Sequence, residues 1–178
     1  DGSGKNTQSG ILTKTLNQMG IEAKELSFPC YGKPSCALVE MYLQGEFGDN
    51  PNSVGPYAAS TFYAVDRYAS YKKDWGSFYE NGGVVIANRY VTSNLVHQMT
   101  KLPQNEWEAF SGWLSDLEYN KFDIITFDDN NKVVVLEKIE PKKRKIQALF
   151  FVSLLTKVNY LFPILFKDIL LFVNIKGY

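Results

Sequence analysis

Asp1-Gly2-Ser3-Gly4-Lys5-Asn6-Thr7 has the residue order of the second half of a phosphate-binding turn. In the pattern Gly-x-x-x-x-Gly-Lys-[Ser/Thr], glycines let backbone N–H groups close around phosphate oxygens and the lysine reaches the outer phosphates. Gly2, Gly4 and Lys5 supply those parts. The pattern's first glycine falls ahead of Asp1, and with it the strand that leads into the turn, so that strand is expected to be absent from this chain. Asn6 stands where a magnesium-binding hydroxyl is usual, with Thr7 next to it. A Gly/Ser turn before a helix is also ordinary capping, but capping has no use for Lys5.

A second set of residues suits anion or base recognition. The chain carries 19 basic residues, and only Arg67, Arg89 and Arg144 among them are arginine. A planar, forked guanidinium grips phosphate or a base edge in a way that a lysine does not. Arg67 and Arg89 sit in the contexts Asp66-Arg67-Tyr68 and Asn88-Arg89-Tyr90, which favour function over chance placement.

Elements that could position these groups follow from periodicity. Ile11, Leu12, Leu16 and Met19 define a helix face after the glycine-rich turn, and Gly20 marks its end. The turn therefore stands at a helix N-terminus, where free N–H groups and the macrodipole favour an anion. Residues 21–28 alternate loosely and stop at Pro29, as a strand running into a loop does. Residues 30–56 read as a loop-bearing connection with a short helical piece over 37–43. Ala58, Phe62, Val65 and Ala69 predict a helix over 57–71 that carries Tyr63 and Arg67. Val84-Val85-Ile86-Ala87, after Gly82-Gly83, reads as a buried parallel strand that places Arg89 just beyond its carboxyl end, where open α/β sheets bind ligands. Further helices are expected from about Ser93 and over 106–119, with Asn105 as N-cap and Trp107, Phe110, Trp113, Leu114 and Leu117 as an apolar stripe facing the core or a second copy. Strand and helix alternate, which predicts an α/β fold with a parallel sheet flanked by helices.

Composition narrows the partners. The formal net charge is +0 and hydrophobic residues make up 45%, which argues against disorder and against bulk attraction to nucleic acid. A small-molecule partner fits better. Cys30 and Cys36 form neither a disulfide framework nor a zinc site and suit a reducing, cytoplasmic setting.

The ordered motifs Asp1-Gly2-Ser3-Gly4-Lys5, Phe28-Pro29-Cys30-Tyr31, Tyr42-Leu43-Gln44-Gly45, Tyr63-Ala64-Val65-Asp66-Arg67-Tyr68 and Asn88-Arg89-Tyr90-Val91-Thr92-Ser93-Asn94 resemble those of thymidylate kinases. The resemblance covers about residues 1–121 and implies a three-layer P-loop kinase fold and phosphorylation of dTMP by ATP with Mg²⁺, in a homodimer that uses neither nucleic acid nor membrane. It implies that Gly2, Ser3, Gly4, Lys5, Asn6 and Thr7 hold ATP. Lys5, Arg89 and Asp1 would serve catalysis, with Asp1 near the acceptor phosphate and its magnesium. Phe28, Pro29 and Tyr31 would line the nucleoside monophosphate pocket, with Tyr63 stacked on thymine, Arg67 at the base edge and Arg89 on the phosphate. Asn94 and Gln98 fall where the family contacts the base, and His97 where a side chain crowds the sugar. Packing against its own helix is the competing reading for His97.

Departures also show. Asn6 replaces a hydroxyl, and Asn88 stands where many members carry aspartate. The kinase core is expected over 1–122, and 123–178 as either a divergent C-terminal segment or the product of a reading-frame shift. In that segment Lys132-Val133-Val134-Val135-Leu136 could be a core strand, and Lys142-Lys143-Arg144-Lys145 reads as a solvated face rather than a lid. Its apolar runs are too short to span a bilayer, which takes about 20 residues. Alternative functions are a nucleotide-binding fragment with impaired catalysis and a kinase for another nucleoside monophosphate.

Overall fold

The computed structural model describes residues 5–50, 52–124, 132–135 and 169–173, with the backbone alone described at Lys5 and in the last two stretches. Asp1, Gly2, Ser3, Gly4 and the basic run 142–145 lie outside the described residues.

Helix α1 (Lys5–Gln18) begins directly after the glycine-rich segment. It closes in a Schellman turn, in which Ile21 N–H bonds the Leu16 carbonyl and Gly20 N–H bonds the Asn17 carbonyl. Gly20 sits at φ +80, a conformation that a Cβ would strain. The Asn17 amide then bonds both backbone groups of Ala23, at 3.0 and 2.9 Å, and so starts strand β1 (Ala23–Ser27). The expected apolar face of α1 is narrower than its pattern suggests. Leu12 and Leu16 are buried, whereas Ile11 and Met19 are each 49% exposed. Ser9 takes the remaining inward position because its hydroxyl bonds the Asn6 carbonyl and the Glu25 carboxylate.

Helix α2 (Ala37–Leu43) follows a 3₁₀ turn over Pro34–Cys36. Helix α3 (Pro56–Ser70) has Pro56 in its first turn, where the missing N–H costs nothing, and runs through a π-helical turn (Tyr71–Trp75) into α4 (Gly76–Glu80). Its helical period was legible, but the buried face was not. Val65 is exposed, and the residues turned inward include Ser60, Asp66, Arg67 and Ser70. Ser60, Asp66 and Arg67 find partners inside, and of the apolar stripe Ala58 and Val65 are left exposed while Phe62 and Ala69 are half-buried.

Strand β2 (Val84–Asn88) is buried at every position and pairs in parallel with β1, Ala23 opposite Val84 and Ser27 opposite Asn88. A parallel pair needs a long crossover, which the chain from α2 to α4 supplies. Helices α5 (Val91–Met99) and α6 (Trp107–Ser115) follow. Asn105 does not cap α6; it lies in a 3₁₀ turn (Gln104–Glu106) that feeds the helix. α6 continues into a π-helical turn (Asp116–Lys121). Strands β3 (Lys132–Val135) and β4 (Ile169–Val173) complete a sheet of order β1-β2-β4-β3 among the described residues. Both join antiparallel, so among the described residues parallel pairing is confined to β1 and β2. Helix α1 packs on β1 and β2, and an aromatic core of Trp75, Tyr79, Tyr90 and Phe110 lies among α4, α5 and α6.

Candidate functional site

A cavity of about 360 Å³ opens beyond the carboxyl ends of β1 and β2. The backbone reaches it from β1 through Phe28, whose N–H bonds the Asn88 carbonyl at 3.1 Å, and through the cis Phe28–Pro29 bond. The following loop is held by a buried carboxylate: Asp66 of α3 accepts hydrogen bonds from Cys30 N–H at 2.7 Å and from the Ser35 hydroxyl at 2.8 Å. Nothing local in the sequence marks Asp66 as that anchor.

Phe28, Pro29, Tyr31, Tyr63, Arg67, Arg89, Asn94, His97 and Gln98 all line this cavity. These are the predicted acceptor-pocket residues apart from Asp1, which lies outside the described residues. Tyr42, Leu43, Tyr90, Ser93 and Lys101 line it too and were given no role from sequence. Tyr42 belonged to a quoted motif; Lys101 could have been found only as the next position on the helical face of Asn94 and His97.

Tyr63 meets Tyr42 edge-on, with ring centroids 6.4 Å apart, and Lys101 Nζ reaches the Tyr42 hydroxyl at 2.6 Å. Burial, with Tyr42 and Tyr31 adding to it, pushes the Tyr63 hydroxyl up to about 12, so it is a neutral donor at working pH. Asn94 is held from α3 by Ser60, with both contacts at 3.4 Å. Ser93 Oγ and Gln98 Oε1 are buried without a hydrogen-bond partner among the described residues, so the cavity wall contains polar atoms that a ligand could satisfy.

Arg67 differs from its sequence-level picture. It is only 2% exposed, and its Nε donates to Glu118 Oε2 at 2.6 Å while Nη2 donates to Glu118 Oε1. Burial alone would lower its pKa, but Glu118 more than offsets this and holds the guanidinium charged. Arg89 follows β2 with φ 64, a left-handed conformation that non-glycine residues adopt at a cost.

At the start of α1, Asn6 and Thr7 are exposed. The two asparagines that depart from the family pattern touch: Asn88 Nδ2 donates to Asn6 Oδ1. Asn88 is buried, and its Oδ1 has no hydrogen-bond partner among the described residues. An unsatisfied amide oxygen is a hard donor that can ligate a hard cation or accept from one of its bound waters, so this pair fits Mg²⁺ on its donor chemistry, while the helix N-terminus beside it favours the phosphates. Among the described residues no group of three or more His, Cys, Asp and Glu gathers as a metal cluster.

Burial, then Asp66, pushes the Cys30 thiol up to about 11, and burial, then Asp66 and Glu40, pushes Cys36 up to about 12, both from 9.0. Folded-state values above the unfolded one mean that the native protein holds more protons between them. The resulting stabilisation is complete below the unfolded value and is lost as pH rises through the folded ones. Melting temperature is therefore expected to fall steadily from about pH 9 towards pH 11, and less so in a Cys30→Ala/Cys36→Ala variant. Equal alkaline slopes for both proteins would contradict this.

The sheet flanked by helices, with a ligand-sized cavity beyond its strands and a helix starting at Lys5, defines an α/β protein of the P-loop kinase class. The comparisons narrow that class. The chain belongs to the thymidylate kinase family, which it matches over residues 1–168, further than the motifs at 1–121 reach. Thymidylate kinase from Mycobacterium tuberculosis (strain CDC 1551 / Oshkosh) is 32% identical over 120 residues, covering 67% of this chain and 55% of the relative. A probable thymidylate kinase from Pyrococcus abyssi is 29% identical over 107 residues, covering 60% of this chain and 52% of the relative. The chain thus spans about half the length of the curated relatives it matches. The solved structure of thymidylate kinase from Candida albicans shares the fold, with a TM-score of 0.50 at 17% identity, over 89% of this chain and 74% of that one.

Proposed function

We propose that the chain is a thymidylate kinase, transferring the γ-phosphoryl group of ATP to dTMP. The observation that carries this reading is the single cavity that gathers Phe28, Tyr63, Arg67, Arg89, Asn94 and Gln98. A purine or pyrimidine needs an aromatic wall and edge-reading polar groups, and a phosphate needs a forked cation; the cavity lining contains both.

In the proposed reaction a dTMP phosphate oxygen attacks the γ-phosphorus in line. The new P–O bond forms as the β–γ bridging bond breaks, and ADP leaves with that electron pair. Lys5 and the N–H groups of the Asp1–Thr7 turn hold ATP, and Asp1 lies near the acceptor phosphate. Arg89 grips that phosphate, and positioning plus charge neutralisation supply the acceleration. Asp1 and the Asn6–Asn88 pair are the residues that would hold magnesium, which when bound would supply further neutralisation of phosphate charge. Tyr63 stacks on thymine, Arg67, Asn94 and Gln98 read its edge, and Phe28, Pro29, Tyr31 and His97 enclose the sugar and phosphate.

We further propose a cytoplasmic homodimer. No helix among the described residues is long and apolar enough to cross a membrane. The outward stripe of α3, with Tyr57, Val65 and Tyr68 exposed at 39%, 38% and 38%, offers an apolar face for a second copy. For residues 123–178, the family match to residue 168 supports a divergent kinase segment over a frame-shifted one. Translating the coding DNA in all three frames tests this, and a lid-and-strand sequence in another frame would reverse it.

A coupled assay of ADP release with ATP and dTMP, dUMP, dCMP or dGMP, beside calorimetric dTMP binding, tests the function. Turnover with preference for dTMP is expected. Turnover without that preference means a kinase for another nucleoside monophosphate, and dTMP binding without turnover means a binding fragment.

A further inference from the structure

Tyr42 and Lys101 line the cavity from different helices and have no part in the proposed reaction. Tyr42 stands in the last turn of α2, and Lys101 lies just beyond the end of α5. Lys101 Nζ donates to the Tyr42 hydroxyl at 2.6 Å and is 5.1 Å from the ring centroid, so it meets the phenol end on rather than over its face. The Tyr42 ring in turn meets Tyr63 of α3 at 89°, with centroids 6.4 Å apart, an arrangement that aromatic pairs favour. One line of contact therefore runs from the end of α5, through α2, to the ring proposed to stack on the base. A helix of seven residues is too short to be stable alone, so α2 depends on such contacts. Glu40 Oε1 accepts from Gly32 N–H at 2.7 Å and ties α2 to the loop that carries Pro29 and Tyr31. Residues 46–50, beyond the other end, are exposed, so the Tyr42 end of α2 rests on the Lys101 bond more than on the chain that follows it.

We infer that Lys101 is a positioning residue for the nucleoside, acting through the Tyr42 hydroxyl to hold the Tyr63 ring ready for a base. A hydrogen bond from an ammonium group is stronger than one between neutral groups, which suits it to fixing a half-buried phenol. A ring held in place beforehand spares the ligand the entropy of ordering it. The bond also joins α2 to α5, so the two helices keep one spacing around the ligand. The proposed reaction gives neither side chain a part in phosphoryl transfer, so the effect falls on nucleoside binding and not on the chemical step. The inference deepens the reading of the cavity as a thymidine nucleotide site and rests on it.

Calorimetry of the full chain with thymidine and dTMP, together with steady-state kinetics, tests it. Lys101→Met keeps the stem and removes the ammonium group, and Tyr42→Phe keeps the ring and removes the hydroxyl. Each should raise the Kd of thymidine by roughly three- to tenfold, the cost of one side chain that must now be ordered on binding. KM for dTMP should rise by a like factor, with kcat changed far less. The double variant should bind no more weakly than either single one, because both remove the same bond. Lys101→Arg, which can still donate to the phenol, should bind thymidine more tightly than Lys101→Met. Wild-type thymidine affinity in Tyr42→Phe overturns the inference, as do additive losses in the double variant or a loss of kcat at unchanged KM. If Lys101→Met does not fold, Tyr42→Phe, which loses a single oxygen, decides by the same Kd. Wild-type protein that binds neither thymidine nor dTMP sinks the nucleotide reading itself, and this inference with it.

Discussion

Replacing Arg89 with alanine is expected to lower the rate of dTMP phosphorylation by roughly a hundredfold to a thousandfold, the loss that follows removal of one preorganised electrostatic donor. The same side chain sits on a backbone at φ 64. Left-handed geometry costs an L-residue about 1–2 kcal/mol, which glycine does not bear. Arg89→Gly should therefore be as inactive as Arg89→Ala and yet more stable than it by about 1 kcal/mol. Both variants lack the guanidinium, so their difference isolates the backbone. Turnover gives the first comparison and denaturant midpoints give the second. Equal activity of wild type and Arg89→Ala would remove Arg89 from the mechanism, and an Ala variant at least as stable as the Gly variant would remove the strain. The arginine thus holds a position that costs stability, as a residue kept for its chemistry does.

Breaking the Arg67–Glu118 pair should produce the largest loss of stability. Arg67→Met leaves Glu118 as a buried carboxylate with no cation, and Glu118→Leu leaves the reverse. Each is expected to cost about 3–5 kcal/mol. The double variant Arg67→Met/Glu118→Leu removes both charges and should recover most of that loss, because an apolar pair avoids the desolvation penalty. Chemical denaturation of the three proteins measures it as a double-mutant cycle. Additive losses would mean that the two side chains do not act as a pair. Recovery of stability without recovery of dTMP binding would separate what the pair does for the fold from what it does for the site.

The same pair shows where local reasoning stops. The helix carrying Arg67 and the strand ahead of Arg89 were readable from spacing, because the repeats of helix and strand are local geometry. The residues expected for an acceptor pocket were named through the family resemblance, and those that are described line one cavity. The spacing of Ala58, Phe62, Val65 and Ala69 marks α3 as a helix but does not say which polar residues it turns inward. In fact Asp66 and Arg67 are turned in, each matched by groups from elsewhere in the chain. A hydrophobicity pattern cannot anticipate this, since burying a charge is unfavourable until its partner is known.

By itself the sequence determined the α/β class, the order of the main helices and strands up to α6, and the family resemblance. Each of these rests on neighbours in the chain or on motifs a few residues long. Tertiary structure alone decided that Asp66 anchors the Cys30 loop, that Glu118 holds Arg67, that Asn6 and Asn88 meet, and that β3 and β4 join antiparallel. The physical reason is distance along the chain. Those pairings span 31 to 82 residues where hydrogen-bonded side chains make them. Their energies depend on burial and on partner geometry, which only the folded chain provides.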